Sequence, residues 1–445
     1  MNETLTQRDI ARFWAPLAAT WLMMSVEGPF LSAVIARLAE PKYNLAAWGI
    51  AFSFAMIVEA PIIMVLSAST ALVADRESFL TLRRFVYTLN GLITAAMLAF
   101  LLPPVFHFVT RTLMNLPPRV AGLAHSATLL LLPWPAAIGY RRFYQGTLLR
   151  HGMPRRVAYG TAFRVATMGV AGLVLYRFAP IPGAWVGAAA LSVGVVMEAA
   201  ASRIMARPAV RAVLQPMGAP LHPAEPLTVK TIIRFYYPLA LTSLLTLGVN
   251  PLVTFSLGRS RMALESLAVM PVVTALVFAF RSPGIAYQEV GVALLGVGAD
   301  AVAGLRRFAA TLGVSAAGAL AVVAWTPLAA GWFHRVSGLS PELTRLAITP
   351  LRILCLYPAF EVLLSFQRAR LVHVRRTAAI TWGTAVEVAA IVVVLSAGIG
   401  VVDLVGAVVA AVALLTARLA ANSFLAYEWR HRSVRLGAGD QRSRG

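Results

Sequence analysis

The chain has 445 residues, of which 59% are hydrophobic and only 13% charged, and its mean hydropathy is +0.75. A soluble domain carries about twice that charged fraction, so water is the wrong solvent for most of this surface. The net charge of +21 would suggest nucleic acid if the protein were soluble, but the basic residues sit mostly between apolar runs and so report membrane topology instead. The lipid bilayer is the expected partner, and nucleic acid is not.

A helix needs about 20 apolar residues to cross the hydrocarbon core. By that rule spans are predicted near residues 12–36, 46–73, 84–110, 120–146, 157–179 and 183–204. A polar, proline-bearing stretch follows at 206–228, and a second set of spans lies near 232–258, 265–297, 303–332, 344–371, 376–399 and 403–428. The first apolar run, 13–35, is too long for a signal-peptide core. The expected fold class is thus an all-α polytopic membrane protein with twelve transmembrane helices in two six-helix bundles. Its expected domains are an N-terminal bundle (1–205), a cytoplasmic linker (206–231), a C-terminal bundle (232–430) and a short cytoplasmic tail (431–445).

Orientation follows from the loops. With the N-terminus cytoplasmic, inside segments hold 26 basic residues, among them Arg141, Arg142 and Arg368, and outside segments hold nine. The positive-inside rule therefore expects both termini in the cytoplasm. Only Lys42 and Lys230 are lysines, an arginine bias that fits a GC-rich bacterial genome and an inner, plasma membrane location.

The halves are repeats. Residues 10–37 (IARFWAPLAATWLMMSVEGPFLSAVIAR) align without gaps on residues 232–259 (IIRFYYPLALTSLLTLGVNPLVTFSLGR), a shift of 222 with ten of 28 positions identical. The matches include Arg12/Arg234, Pro16/Pro238, Pro29/Pro251 and Arg37/Arg259. The same shift puts Glu59-Ala60-Pro61 on Arg281-Ser282-Pro283, Gln145 on Gln367 and His151 on His373. Six spans per repeat predict halves related by a pseudo-twofold axis along the membrane normal, with a central cavity between them and alternating access by rocking.

Charge inside a membrane helix is costly unless paired or hydrated, so each instance is a candidate for function. Arg164 and Glu198 lie near predicted cytoplasmic ends, where snorkelling accounts for them. Arg418 and Glu289 lie in inner halves as candidates to pair with each other or with water, and Glu387 is a mid-span candidate partner for an arginine. Glu59 and Arg281 stand apart, because they occupy equivalent mid-span positions, each two residues before a proline. They read either as an ion pair locking the halves together or as a substrate and coupling site, with Arg281 holding an anion while Glu59 changes partner or protonation. Glu27 beside Pro29, and Asn250 beside Pro251, mark broken first and seventh spans of the kind that line transport sites. Pro61 and Pro283 are expected to break the second and eighth spans likewise. Arg352 and Glu361 complete the candidate set and, nine residues apart on one helix, point to different faces.

Cys355 is the only cysteine and the seven histidines show no HExxH spacing, so no metal site or cofactor is expected. There is no Walker motif and no nucleophile constellation, so an enzyme is not expected either.

The stretches FYYPLALTSL (235–244), NPLVTFSLGR (250–259) and TPLRILCLYP (349–358), with weaker likeness over WGIAFSFAMIVEAP (48–61), resemble the progressive ankylosis protein family. The paired-half layout resembles the wider multidrug/oligosaccharidyl-lipid/polysaccharide exporter superfamily, and hence a MATE-like fold. The resemblance implies efflux of a small organic or phosphate-containing anion of the citrate, pyrophosphate or nucleotide class. Two alternatives are a MATE-like multidrug or organic-cation antiporter coupled to a proton or sodium ion, and a lipid-precursor flippase. Glu27 and Glu59 favour the first of these.

Overall fold

The computed structural model describes residues 6–215, 227–295, 301–374 and 376–442. Its helices are α1 (Gln7–Ser25), α2 (Glu27–Ala36), α3 (Pro41–Glu59), α4 (Val65–Leu72), α5 (Arg76–Phe100), α6 (Pro103–His107), α7 (Pro118–Leu130), α8 (Trp134–Arg150), α9 (Pro154–Phe178) and α10 (Gly183–Met205). The short α11 (Arg207–Leu214) lies in the stretch expected to be a linker. Then come α12 (Val229–Leu247), α13 (Val249–Leu257), α14 (Ala263–Leu294), α15 (Ala301–Trp325), α16 (Leu328–Gly331), α17 (Pro341–Ile353), α18 (Tyr357–His373), α19 (Thr377–Gly400) and α20 (Gly406–Arg442). Local chemistry sets many of the starts. Thr6 and Asp75 cap α1 and α5 through their side chains, and prolines open α3, α7, α9 and α17, where a missing N–H costs nothing.

Ten stretches among the described residues are long and apolar enough to cross a membrane, and an eleventh is the pair α5 and 103–113, bent by 68°. The remaining expected span, 46–73, is divided between α3 and α4 by a turn at 60–64. This is an integral membrane protein built from helices.

By contact the chain forms two compact units. Unit 1 is residues 1–29 with 260–445, and unit 2 is residues 30–259. Thus α1 belongs with the later helices, while α12 and α13 belong with the earlier ones.

The repeat is visible in the elements. The helices α1 and α12 each have 19 residues at a shift of 222, and both end one residue before a break, at Val26 and Gly248. Pro29 and Pro251 each occupy the third position of the helix that resumes, α2 or α13, so they sit in a first turn and the break precedes them. One pair of hydrogen bonds repeats as well. In unit 1 the Trp14 Nε1 donates to the Pro283 carbonyl at 2.9 Å, and in unit 2 the hydroxyl of Tyr236, the register mate of Trp14, donates to the carbonyl of Pro61.

The expected break at Pro283 is corrected by the structure, since α14 runs through it without interruption. A proline at position 283 withdraws the N–H that would bond to the Ala279 carbonyl. Ser282 Oγ donates to that same carbonyl at 3.1 Å and fills the vacancy. The register mate of Ser282 is Ala60, which has no hydroxyl; there Ala60 N is shared between Met56 O at 3.1 Å and Ile57 O at 3.3 Å, and the helix stops in a turn with Ile62 N on Glu59 O at 2.8 Å. Ser282→Ala is therefore expected to destabilise unit 1 by about 1 kcal/mol, the net worth of a hydrogen bond to a half-buried carbonyl. Thermal melting of the purified variant checks this, and an unchanged melting temperature would show that the hydroxyl does not support the helix.

Candidate functional site

Each unit encloses one network of membrane-embedded charges. In unit 2 the hub is Glu198 on α10, which is fully buried. Arg141 of α8 forms a close ion pair with it, Gln145 Nε2 donates at 3.2 Å, Thr161 Oγ1 donates at 3.4 Å, and Arg164 Nε lies 3.5 Å away. The side chains of Arg141 and Arg164 are only 4% and 7% exposed, so this network is sealed. Arg142 lies within coulombic range of both Glu198 and the buried Glu59 at the end of α3. Two expectations change here. Arg141 and Arg142 are not loop residues, because α8 continues two turns beyond them. Arg164 and Glu198 do not snorkel, because four polar groups from two helices, α8 and α9, meet the carboxylate where it lies.

In unit 1 the hub is shared. Glu361 of α18 has Arg281 Nη1 and Arg418 Nη2 each 3.5 Å from its Oε2, and neither contact closes into a hydrogen bond. Arg418 is held more firmly elsewhere, by Glu387 at 3.1 Å and by the Tyr357 hydroxyl at 2.6 Å. Arg281 also donates to the Tyr357 hydroxyl at 3.2 Å, and its guanidinium lies 5.5 Å from the Tyr357 ring centre and 5.4 Å from that of Phe278. Arg368, counted above among the cytoplasmic arginines, is a half-buried residue of α18 and donates to Thr384 Oγ1 at 3.3 Å. Arg418 thus pairs with Glu361 and Glu387 rather than with Glu289.

Four charged positions of the two networks correspond with opposite sign, two in register and two displaced by about one turn. From α7 onward the elements repeat at a shift of 223, as the starts Pro118/Pro341, Trp134/Tyr357, Pro154/Thr377 and Gly183/Gly406 show. This replaces the expected matches of Gln145 with Gln367 and His151 with His373. At that shift Arg164 falls on Glu387. Arg141 lies three residues, about one turn, beyond the mate of Glu361, and Glu198 lies three residues beyond the mate of Arg418. With Glu59 against Arg281 at the shift of 222, all four helix positions carry opposite signs in the two units.

The networks also differ in access. The Arg281 side chain is 27% exposed, against 8% for Glu361 and Arg418. Its Nε is buried without a hydrogen-bond partner among the described residues, as are those of Arg368 here and of Arg141 and Arg142 in unit 2, so exposure is what sets Arg281 apart. Three arginines stand against two glutamates in this network, an excess of one positive charge that unit 2 shares, with Arg141, Arg142 and Arg164 against Glu198 and Glu59. Such a site can hold an oxyanion, whose oxygens would meet the fork of donors that arginine presents.

The other predicted residues disperse. Arg281 and Glu361 come together, whereas Glu59 falls in unit 2 and Arg281 in unit 1, each engaged within its own unit. Glu27 is half-buried at the start of α2, and Asn250 is exposed on α13. Arg352 is exposed, donates to the Ala324 carbonyl at 3.2 Å and stacks 4.8 Å from Trp325, away from Glu361. Tyr357 was missed because a tyrosine in an apolar helix carries no charge to flag it. No group of three His, Cys, Asp or Glu able to hold a metal occurs among the described residues.

Comparison with solved structures places this geometry in a known architecture. An inward-facing multidrug resistance MATE family transporter of the MOP superfamily superposes with a TM-score of 0.68 at 16% identity, covering 93% of this chain and 98% of that one. The chain has the MATE-type fold. The lipid II flippase MurJ in an inward closed conformation is similar too, with a TM-score of 0.70 at 11% identity over 94% of this chain and 87% of that one. A MOP superfamily transporter from Pyrococcus furiosus gives a TM-score of 0.63 at 14% identity over 96% of each chain. No family model and no curated protein matches the sequence.

Proposed function

We propose that the protein is an alternating-access membrane transporter that exports a small organic or phosphate-containing anion, received at Arg281. The observation that carries this reading is the unit 1 network, where a partly exposed arginine, loosely paired to a shared carboxylate, borders a buried site with surplus positive charge. A purely structural ion pair would be closed and sealed, as Arg141–Glu198 is. The MATE-type fold supports a transporter over an enzyme. The sequence resemblance to the progressive ankylosis protein family supports an anion of the citrate, pyrophosphate or nucleotide class. The basic cytoplasmic-side loops support a plasma-membrane protein with both termini inside.

Proteoliposome counterflow of labelled citrate, pyrophosphate and ATP tests it. Arg281→Ala is expected to lower transport of the accepted anion at least tenfold, Arg281→Lys to retain part of it, and Arg345→Ala, at an exposed position on α17, to leave it within about twofold. If wild-type protein moves lipophilic cations and none of these anions, the reading fails and the cation antiporter replaces it.

A further inference from the structure

Unit 2 contains a cavity of about 800 Å³. Its size falls within the range of about 300–1,000 Å³ typical of ligand pockets. It arises from two helix breaks. The second span stops at Glu59 and the seventh turns at Gly248, and the prolines that follow, Pro61 and Pro251, both line the space. Where helix axes depart from straight packing, side chains no longer fill the gap.

The wall is apolar. Phe54, Ile93, Met97, Leu241, Leu244 and Phe255 dominate it, and no lining residue is charged or carries an amide side chain. Phe54 is braced edge-on by Phe100 at 4.9 Å, which gives one side a rigid aromatic face. Three lining residues are polar: Ser53, Thr254 and Tyr237. Ser53 Oγ donates to the Gly49 carbonyl at 2.8 Å, so at 2.6 Å from it the Thr254 hydroxyl must be the donor of their mutual bond. The hydrogens of Ser53 and Thr254 are spent inside the wall, which leaves the Tyr237 hydroxyl as the polar group at its edge. A space of this kind repels water and oxyanions and accepts hydrocarbon.

We infer that this cavity is a binding site for the hydrocarbon chain of an amphiphile. The chain is either the acyl tail of a membrane lipid or the apolar part of a separate amphiphilic solute. The flexible Met97 and Met114 adapt the wall to its contour. The inference does not depend on the anion reading, because no residue of the Arg281 network lines the cavity.

The test is photolabelling in nanodiscs, followed by mass-spectrometric mapping. One probe is a phosphatidylcholine with a diazirine on one acyl chain, and the other is a single-chain alkyl phosphate with the same group. Labels are expected to concentrate on segments 53–61, 93–100 and 237–255. Ala96→Trp and Ala240→Trp, which fill the cavity from α5 and α12, are each expected to reduce that labelling at least fivefold. Val170→Trp, at an exposed position on α9, is expected to leave it unchanged. Labelling by the phospholipid that the alkyl phosphate does not compete away assigns a membrane lipid, and labelling by the alkyl phosphate alone assigns a solute. Labels spread evenly over exposed helices, or persisting in both filled variants, would overturn the inference. The wild-type map decides even if a tryptophan variant does not fold.

Discussion

Glu198→Ala is expected to destabilise the protein by about 3–5 kcal/mol, because it leaves buried arginines without their counter-charge. At about 2–4 °C per kcal/mol for a unit of this size, the melting temperature should fall on the order of 10 °C. The network also predicts an asymmetry. Arg141→Met removes one partner, but the carboxylate keeps Arg164, Gln145 and Thr161. It should therefore cost markedly less than Glu198→Ala. Thermal melting of both variants, with Glu342→Ala at an exposed helix start as control, checks the order. An Arg141→Met effect equal to or larger than that of Glu198→Ala would mean that the arginine, not the glutamate, is the hub.

The sequence made the first and seventh spans legible because prolines and arginines repeat there in register, and the structure puts both helix breaks at the same shift of 222. Past that point the shift drifts to 223, and a gap-free comparison of apolar helices cannot feel one residue. Arg164 and Glu387 therefore went unrecognised as mates. The sequence also showed which charges enter the membrane helices, but not which helices face one another. Glu198 and Arg164 read as snorkelling because their distance along the chain from the cytoplasmic ends was visible, whereas their contact with each other and that of Glu198 with α8 were not. Pro61 and Pro283 looked equivalent, yet the span breaks at the first and runs on through the second, where Ser282 Oγ donates to the Ala279 carbonyl. Tyr357 shows the limit most clearly. A neutral residue becomes part of an ion network only when two arginines from other helices converge on its hydroxyl.

The charge reversal between the units then gives the second large effect, at Glu361. Its loss should not resemble the loss of Glu198, because Arg418 retains Glu387 and Tyr357. Arg281 retains the Tyr357 hydroxyl and the Tyr357 and Phe278 rings, but its carboxylate partner is gone. If Arg281 receives the transported anion, Glu361 is the group that the anion must displace. Glu361→Gln keeps the shape and removes that competition, so anion affinity should rise, by about tenfold if roughly 1.4 kcal/mol of competing attraction is lifted. Turnover should fall, since a carboxylate that recaptures Arg281 is what drives the anion off. Equilibrium binding and counterflow on the same preparation separate the two effects. Glu387→Gln is the discriminating comparison, because it loosens Arg418 without touching Arg281 and should not raise affinity. Weaker binding in Glu361→Gln would show that the carboxylate supports Arg281 rather than competing for it, and the network would then be a brace and not a site.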